Sequence, residues 1–170
     1  MTGSRQTKFP DMARFPKFFA YVTHVTGIAC GNGCLSGGKY CGVAPQAQIV
    51  SVKILDRYGQ GNSAQAVTGL RWIMDNARKY NIKVVNLSIG TNDRKVNLPL
   101  KDAVERLWRM GIVVVAAAGN PDERNGYRPP PAVSSSVLCV GAWEDRNYFH
   151  QPAFSFFTRE ENIMPDLWAP

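Results

Sequence analysis

The sequence lacks the features that mark several special classes of protein. It has no apolar stretch near the ~20 residues that a helix needs to cross a bilayer, so we expect no membrane span. Its four cysteines in 170 residues are too few for a disulfide scaffold. The basic N-terminus is not followed by an apolar segment of ~7–15 residues, which argues against a secretory signal. Together with unpaired cysteines, these absences favour a globular protein of the cytoplasm.

Phenylalanine is missing from the whole middle of the chain. The length fits one domain with a hydrophobic core of ordinary size, yet its two ends are composed differently from its middle. All eight phenylalanines occur near the ends, at Phe9, Phe15, Phe18, Phe19, Phe149, Phe154, Phe156 and Phe157.

The positive charge is also unevenly placed. The formal net charge is +7, and residues 1–22 contribute +3 of it, from four basic residues against one acidic residue. The remaining basic residues are scattered, with no run longer than a pair such as Arg78-Lys79. This pattern predicts a solvated surface and no nucleic-acid partner. Neither Gly-rich phosphate-binding motif of nucleotide-binding proteins is present.

Three of the cysteines lie in one Gly-rich stretch. Cys30, Cys34 and Cys41 are separated by three and six residues, which is not the spacing of a zinc ribbon or finger. Loop thiols in a reducing compartment are one interpretation. A zinc site with His24 as the fourth ligand is the alternative, because metal-binding loops often mix His and Cys.

Strand and helix patterns alternate from about residue 43. The β-branched run of residues 48–55 predicts a strand. Asn62, three residues before Gln65, predicts the capped start of a helix. Residues 83–89 form the next predicted strand. Within the helix, over residues 63–79, the apolar residues at helical spacing are Val67, Leu70, Ile73, Met74 and Ala77.

A second helix and two further strands follow. Asn97 is predicted to cap this helix and Gly111 to end it. The unbroken apolar run of residues 112–118 predicts a strand buried on both faces, and residues 137–142 predict another. The alternation predicts a three-layer α/β fold, a parallel sheet flanked by helices, whose ligands gather at the carboxyl ends of the strands. The inward stripe of the helix consists of Leu100, Ala103, Val104 and Leu107.

Several segments in this series resemble one family of enzymes. Five of them occur in order and at family-like spacing, and a sixth lies near the C-terminus. These segments resemble the subtilisin-like serine proteases over roughly residues 22–146. The resemblance implies a subtilisin-like fold and the hydrolysis of peptide bonds by a serine endopeptidase. The six segments are residues 23–27 (THVTG), 42–45 (GVAP), 52–55 (VKIL), 86–90 (NLSIG), 115–120 (VAAAGN) and 165–170 (PDLWAP).

The resemblance also implies a site for an extended peptide or protein substrate. Asn120 matches the family's oxyanion asparagine, whose amide stabilises charge in the transition state. Two groups of residues match the family's main-chain segments that hydrogen-bond the peptide. These are Gly59 and Gly61, and then Ser88, Ile89 and Gly90. One wall of the pocket before the scissile bond matches Ala117, Ala118 and Gly119. Their small side chains leave room for a bulky group, so we expect a hydrophobic preference.

The sequence departs from the family where catalytic groups are expected. Tyr21 stands at the position of the catalytic histidine, and a phenol with a pKa near ~10 is a poor base at neutral pH. His24 matches the family's second, noncatalytic histidine. We therefore expect this chain to be catalytically inactive as written; the alternative is a noncatalytic peptide-binding or regulatory pseudoprotease. The other acidic and hydroxyl candidates match no catalytic motif, namely Asp11, Ser134, Ser135 and Ser136.

These departures set the expected boundaries. Residues 1–22 are an unmatched segment, residues 23–146 a subtilisin-like core, and residues 147–170 a divergent segment that ends before the nucleophile motif. The fold is therefore expected to be incomplete at both ends. Apolar edges at residues 49–55 and 112–118 would then be partly exposed and favour self-association. Calcium is common in the family, but the loop of residues 30–41 offers few oxygen ligands, so we expect no metal or cofactor.

Overall fold

A computed structural model describes residues 17–90, 98–119, 130–142 and 166–169 of the protein. The chain divides into two units, residues 1–61 and residues 62–170. The boundaries expected at residues 22/23 and 146/147 stay predictions. None of the helices in the described ranges has both the length and the apolar character that a membrane-spanning helix requires.

In the first unit, a Gly-rich loop folds back onto the end of a helix. Helix α1 spans Lys17–Cys30, and a short 3-10 helix follows at Cys34–Ser36. The last carbonyl groups of a helix have no partner within it, and here the returning chain supplies donors. Backbone N–H groups donate from Gly31 to Gly27, from Val43 to Ile28 and from Ala44 to Ala29, at 2.8, 3.1 and 2.8 Å.

Gly42 is the point of closest approach between the loop and the helix. Its N–H donates to the carbonyl oxygen of Gly31 at 2.7 Å. A Cβ at position 42 would lie 2.6 Å from the nitrogen of Gly31 and 2.7 Å from the nitrogen of Cys30. Such contacts require the backbone to move, so the chain can return to α1 in this path only with glycine at this position.

The strand predicted over residues 48–55 is not present. These residues have no strand assignment, and Ile49 and Val50 are exposed. A strand exists through its ladder of hydrogen bonds to a neighbour, and residues 17–61 contain no second strand. The apolar, β-branched sequence alone was therefore insufficient to form one.

The second unit begins with helix α2, Ser63–Asn76, whose start matches the prediction. The Asn62 side chain accepts from the N–H of Gln65 at 2.8 Å, and the Gln65 side chain accepts from the N–H of Asn62 at 2.8 Å. This reciprocal pair is a capping box, which satisfies two donors that the first turn leaves unpaired. Four of the five predicted inward residues are buried and Met74 is half-buried; the four are Val67, Leu70, Ile73 and Ala77.

Helix α3, Leu98–Arg109, packs against α2 and against the sheet. The predicted cap, Asn97, lies outside the described residues. Gly111 takes a φ of 76°, and its N–H and that of Ile112 donate to the carbonyls of Trp108 and Leu107. Since left-handed geometry suits glycine, this closing turn ends the helix as predicted. The predicted inward stripe is fully confirmed as buried: Leu100, Ala103, Val104 and Leu107.

Within the described ranges, four parallel strands form a sheet in the order β1-β2-β3-β4. Helix α3 connects β1 to β2, which is the parallel strand–helix–strand arrangement that the sequence predicts. Strand β2 lies inside the sheet, and its alternate residues Val114 and Ala116 are completely buried. The sequence predicts partial exposure of residues 112–118. This prediction is wrong for one face of β2, which is buried, whereas the other face is half-buried. The strands are β1, Val84–Leu87, β2, Val113–Ala117, β3, Leu138–Ala142, and β4, Leu167–Ala169.

Asp166 attaches the short strand β4 to β3. Its Oδ2 accepts from the N–H of Cys139 at 2.7 Å, and its own N–H donates to the carbonyl of Cys139 at 2.8 Å. Cys139 is fully buried, so its N–H has little access to water, and this carboxylate accepts from it. The three-residue strand thus begins with a two-bond link to a residue 27 positions earlier.

We expect Asp166→Ala to lower the free energy of unfolding by about 1–3 kcal/mol, because a buried N–H loses its acceptor. Asp166→Asn keeps an acceptor oxygen and should lose less. Urea denaturation measures both changes, with Asp75→Ala as the control because Asp75 is an exposed carboxylate on α2. The control should stay within about 0.5 kcal/mol of the wild type. Equal losses for Asp166→Ala and the control would contradict the role of the link.

Candidate substrate-binding site

The carboxyl ends of the parallel strands bring two of the predicted segments to one edge of the sheet. The ladder aligns Leu87 of β1 with Ala116 of β2. Residues 88–90 therefore leave β1 at the edge where residues 118 and 119 leave β2. This is the edge at which open parallel sheets bind ligands.

Residues 88–90 offer a main chain that becomes more exposed along its length. Ser88 and Ile89 are half-buried, and Gly90 is exposed. The Ser88 hydroxyl accepts from the Asn86 side chain at 2.9 Å, which ties the exit to the last residues of β1. The segment is thus fixed at its start and accessible at its end, as a main-chain binding segment requires.

The three residues predicted as a pocket wall differ in their accessibility. Ala117 and Gly119 are half-buried, whereas Ala118 is 2% exposed. The Ala118 N–H donates to the carbonyl of Val140 at 2.8 Å, so it is committed to the neighbouring strand. Gly119 has a φ of 95°, which turns the chain out of the sheet in a conformation that favours glycine.

Two of the predicted catalytic positions have no described side chain. Asn120 lies outside the described residues, directly after Gly119. The backbone of Tyr21 lies in α1, and its side chain is outside the described part. His24 is on the same helix and is exposed. A separation of three residues along a helix is a rise of ~4.5 Å and a different direction around the axis, so His24 does not occupy the position of residue 21.

The serine cluster after the Pro-rich segment forms a turn. Ser134 is buried; its N–H donates to the Pro131 carbonyl at 3.0 Å, and its hydroxyl accepts from the Ser136 N–H at 3.3 Å. No general base contacts these hydroxyls among the described residues. A nucleophilic serine needs such a base, so the geometry agrees with their interpretation as loop residues.

In the first unit, Asp56 organises the loop that contains Gly59 and Gly61. Its Oδ1 accepts from the N–H groups of Gln60 and Tyr58 at 2.9 and 2.8 Å. These bonds, led by that of Gln60, hold the pKa of the Asp56 carboxyl below its ordinary value. Burial opposes them, and the positive charges of Arg57 and Lys53 lower the pKa by smaller amounts. Residues 59–61 are exposed, and the loop displays them to solvent.

The cysteine-rich loop of the first unit shows no metal geometry. Cys41 donates from its thiol to the Gly38 carbonyl at 3.3 Å, and Cys34 and Cys41 are exposed. Cys30 is half-buried, and no disulfide joins these three. Within the described ranges, no group of three or more His, Cys, Asp or Glu side chains is placed to hold a metal ion.

Sequence reasoning missed two structural carboxylates, Asp56 and Asp166. Both accept backbone N–H groups, Asp56 within its own loop and Asp166 across 27 residues. The first had a local signal, because an Asp followed closely by glycine is typical of a turn closed by the side chain. The second lies in the family-like segment of residues 165–170, but nothing in a single sequence reveals its contact at that separation.

Asp56 should titrate below its ordinary value in the folded chain and at its ordinary value in the unfolded chain. The cause is stabilisation of the carboxylate by two N–H donors. With a lowered pKa in the folded state, the stabilisation is present above the ordinary pKa and is lost as the pH falls through the lowered one. A carbon-detected NMR titration of the Asp56 carboxyl, with and without urea, measures both midpoints. Equal midpoints would contradict the described hydrogen bonds.

Comparison with known proteins places these features in one family. The model of the subtilase family matches residues 22–170, which includes the C-terminal segment of residues 165–170 as well as the stretch of residues 22–146. The chain is 35% identical over 166 residues to serine protease AprX of Bacillus subtilis, covering 87% of this chain and 37% of that protein. It is 38% identical over 151 residues to subtilisin-like protease 3 of Pseudogymnoascus destructans, covering 87% of this chain and 33% of that protein.

Solved structures agree with the sequence relatives. The S41 psychrophilic protease matches with a TM-score of 0.62 and 31% identity, over 71% of this chain and 38% of that one. Sphericase matches with a TM-score of 0.63 and 29% identity, over 71% of this chain and 39% of that one. The chain thus spans between about a third and two fifths of the length of these relatives. The predicted α/β fold with a parallel sheet is confirmed, and the chain belongs to the subtilase family of serine proteases.

Proposed function

We propose that the chain supplies substrate-binding parts of a subtilisin-like endopeptidase domain. An extended peptide would accept and donate main-chain hydrogen bonds at residues 88–90, after β1; residues 59–61 of the first unit are a separate predicted main-chain segment. Main-chain pairing of this kind supplies affinity, while pockets for side chains supply specificity. The observation that carries the proposal is the alignment of Leu87 with Ala116, because it puts two family segments at one ligand-binding edge.

The oxyanion role of Asn120 and the hydrophobic preference belong to the same proposal. Asn120 follows Gly119, whose φ of 95° turns the chain away from the sheet. An amide donor there would act only on charge that develops during reaction. Half-buried Ala117 presents a single methyl group, which supports a substrate residue with a large apolar side chain.

We also propose that this chain does not itself hydrolyse peptide bonds. The position of the family's general base holds Tyr21, and the family match begins at the next residue. His24 is on the same helix but is displaced from that position, and the hydroxyl of Ser134 is engaged in a turn. A nucleophile without a base of suitable pKa has little reactivity at neutral pH.

A serine-directed fluorophosphonate probe should therefore leave the purified chain unlabelled. The reason is that covalent labelling requires a serine activated by a base. Intact-mass spectrometry measures the adduct, and an active subtilisin-like protease treated in parallel confirms the reagent. Tyr21→His is the matched variant, and it should also stay unlabelled because a base alone does not supply a nucleophile. Stoichiometric labelling at any serine would contradict the proposal.

A noncatalytic peptide-binding module is the second candidate. It is favoured by the combination of an altered base position at Tyr21 with exposed main chain at Gly90 and at residues 59–61. Binding through the main chain needs none of the catalytic groups, so it survives their loss. Both candidate functions involve binding of a peptide. In the first the peptide is a protease substrate, and in the second it is bound without being cleaved.

Titration calorimetry with a blocked, extended peptide carrying a bulky apolar residue should detect binding at high micromolar concentration or below. The same peptide with N-methylated main-chain amides should bind at least about tenfold more weakly, because it loses donors to the ladder. Light scattering in the same buffer gives the oligomeric state of the protein during the titration. Absence of heat up to high micromolar peptide would count against a binding module.

Self-association is proposed on the open side of β1. Among the described residues no strand pairs with that side, and Val84 is 59% exposed. An uncovered edge with apolar side chains is a template for pairing with another chain. Exposed Ile49 and Val50 add apolar surface in the first unit.

A further inference from the structure

Residues 56–60 form a loop that is closed on itself by four hydrogen bonds. Two of them end on the Asp56 carboxylate, from the N–H groups of Tyr58 and Gln60 at 2.8 and 2.9 Å. The other two join backbone groups, from Asp56 N–H to the Gln60 carbonyl at 2.8 Å and from Gly59 N–H to the Asp56 carbonyl at 3.2 Å. Both backbone polar groups of Gln60 are therefore directed to Asp56.

The backbone of Gly61 differs from that of Gln60 in its hydrogen bonding. Among the hydrogen bonds of the described residues, none uses the N–H or the carbonyl of Gly61. The N–H and carbonyl of Gly61 therefore stay available to a ligand, while those of Gln60 are engaged with Asp56.

We propose that Asp56 is a positioning residue for peptide recognition: its carboxylate fixes Gln60 and thereby presents Gly61 to an incoming extended peptide. The inference rests on the proposed peptide-binding function and adds to it a residue that does not itself touch the peptide. Asp56 acts before binding, by removing conformations in which the groups of Gly61 point elsewhere.

The composition of the loop explains why such a residue is needed. Gly59 takes a φ of 77°, and two glycines in three residues give the unrestrained segment many accessible conformations. Ordering that segment during binding would oppose association, whereas ordering it beforehand favours association. Hydrogen bonds to an ionised acceptor are stronger than neutral ones, which suits a carboxylate for this task at an exposed site.

The neighbouring charges leave the carboxylate available for the backbone. Arg57 lies with its guanidinium 4.8 Å from the centre of the Tyr58 ring. The salt bridges of the described residues lie on α3 and do not include Asp56. Both hydrogen bonds that the Asp56 carboxylate accepts therefore come from the backbone of the loop, and neither comes from a basic side chain.

The test compares peptide affinity in the full chain for three substitutions. Asp56→Ala should weaken binding of the blocked, extended apolar peptide by about tenfold, because the loop must then be ordered on binding. Asp56→Asn retains an acceptor oxygen of the same shape and should stay within about threefold of the wild type. Asp75→Ala removes the same charge from α2 and should leave affinity unchanged. Calorimetry measures affinity, and thermal unfolding of each variant measures stability.

Amide hydrogen exchange supplies a second measurement on the loop itself. In Asp56→Ala, exchange at Tyr58 and Gln60 should accelerate by at least about tenfold, whereas exchange on α3 should not change. A positioning role predicts that the acceleration stays local to the loop, with only a small drop in the unfolding midpoint from the lost carboxylate. A general loss of structure would instead lower the midpoint and accelerate exchange throughout.

The outcomes separate this inference from the proposed function. If the wild type binds peptide and Asp56→Ala binds equally well, the positioning role is wrong and the binding function stands. Equal losses in the Asn and Ala variants would also overturn it, since the acceptor would then be irrelevant. If the wild type binds no peptide, the proposed binding function is wrong and the positioning role falls with it. Unchanged exchange at Tyr58 and Gln60 would show that the carboxylate does not hold the loop.

Discussion

The parallel ladder between β1 and β2 is the interaction on which the candidate site in the second unit depends. It aligns Leu87 with Ala116, and this register determines that residues 88–90 and 118–119 leave the sheet at the same edge. A shift of one residue would exchange the buried and half-buried faces of β2. Completely buried Val114 and Ala116 make such a shift unfavourable, so the packing of the core also maintains the geometry of the site.

The sequence was sufficient where structure depends on neighbours along the chain. The capping box at Asn62, the turn at Gly111 and the inward stripe of α3 were all predictable, because each follows from spacing or backbone preference. It was insufficient where structure depends on distant partners. Residues 48–55 have the composition of a strand without being one, and β4 needs Asp166 to reach Cys139 across 27 residues.

The residues of the candidate site also divide into those that the sequence reveals and those that it does not. Short motifs identified residues 88–90 and 117–119, because strand exits with small residues are visible in a sequence. The contribution of Asp56 was not identified, since its importance lies in where its oxygen atom is and not in its residue type. The altered position at Tyr21 was visible from the motif alone. In the proposed function, main-chain recognition and proton transfer rest on different residues, so the first does not require the second.

The hydrogen bond between Gly42 and Gly31 separates the loop of residues 32–41 from the helix before it. The two ends of this loop are joined at 2.7 Å, so the chain between them is an excursion with a fixed base. Lengthening or shortening such an excursion changes the closure entropy only slowly. Evolution can therefore insert, delete or replace residues there, including exposed Cys34 and Cys41, without moving α1. This loop is therefore a part of the first unit that can acquire new sequence.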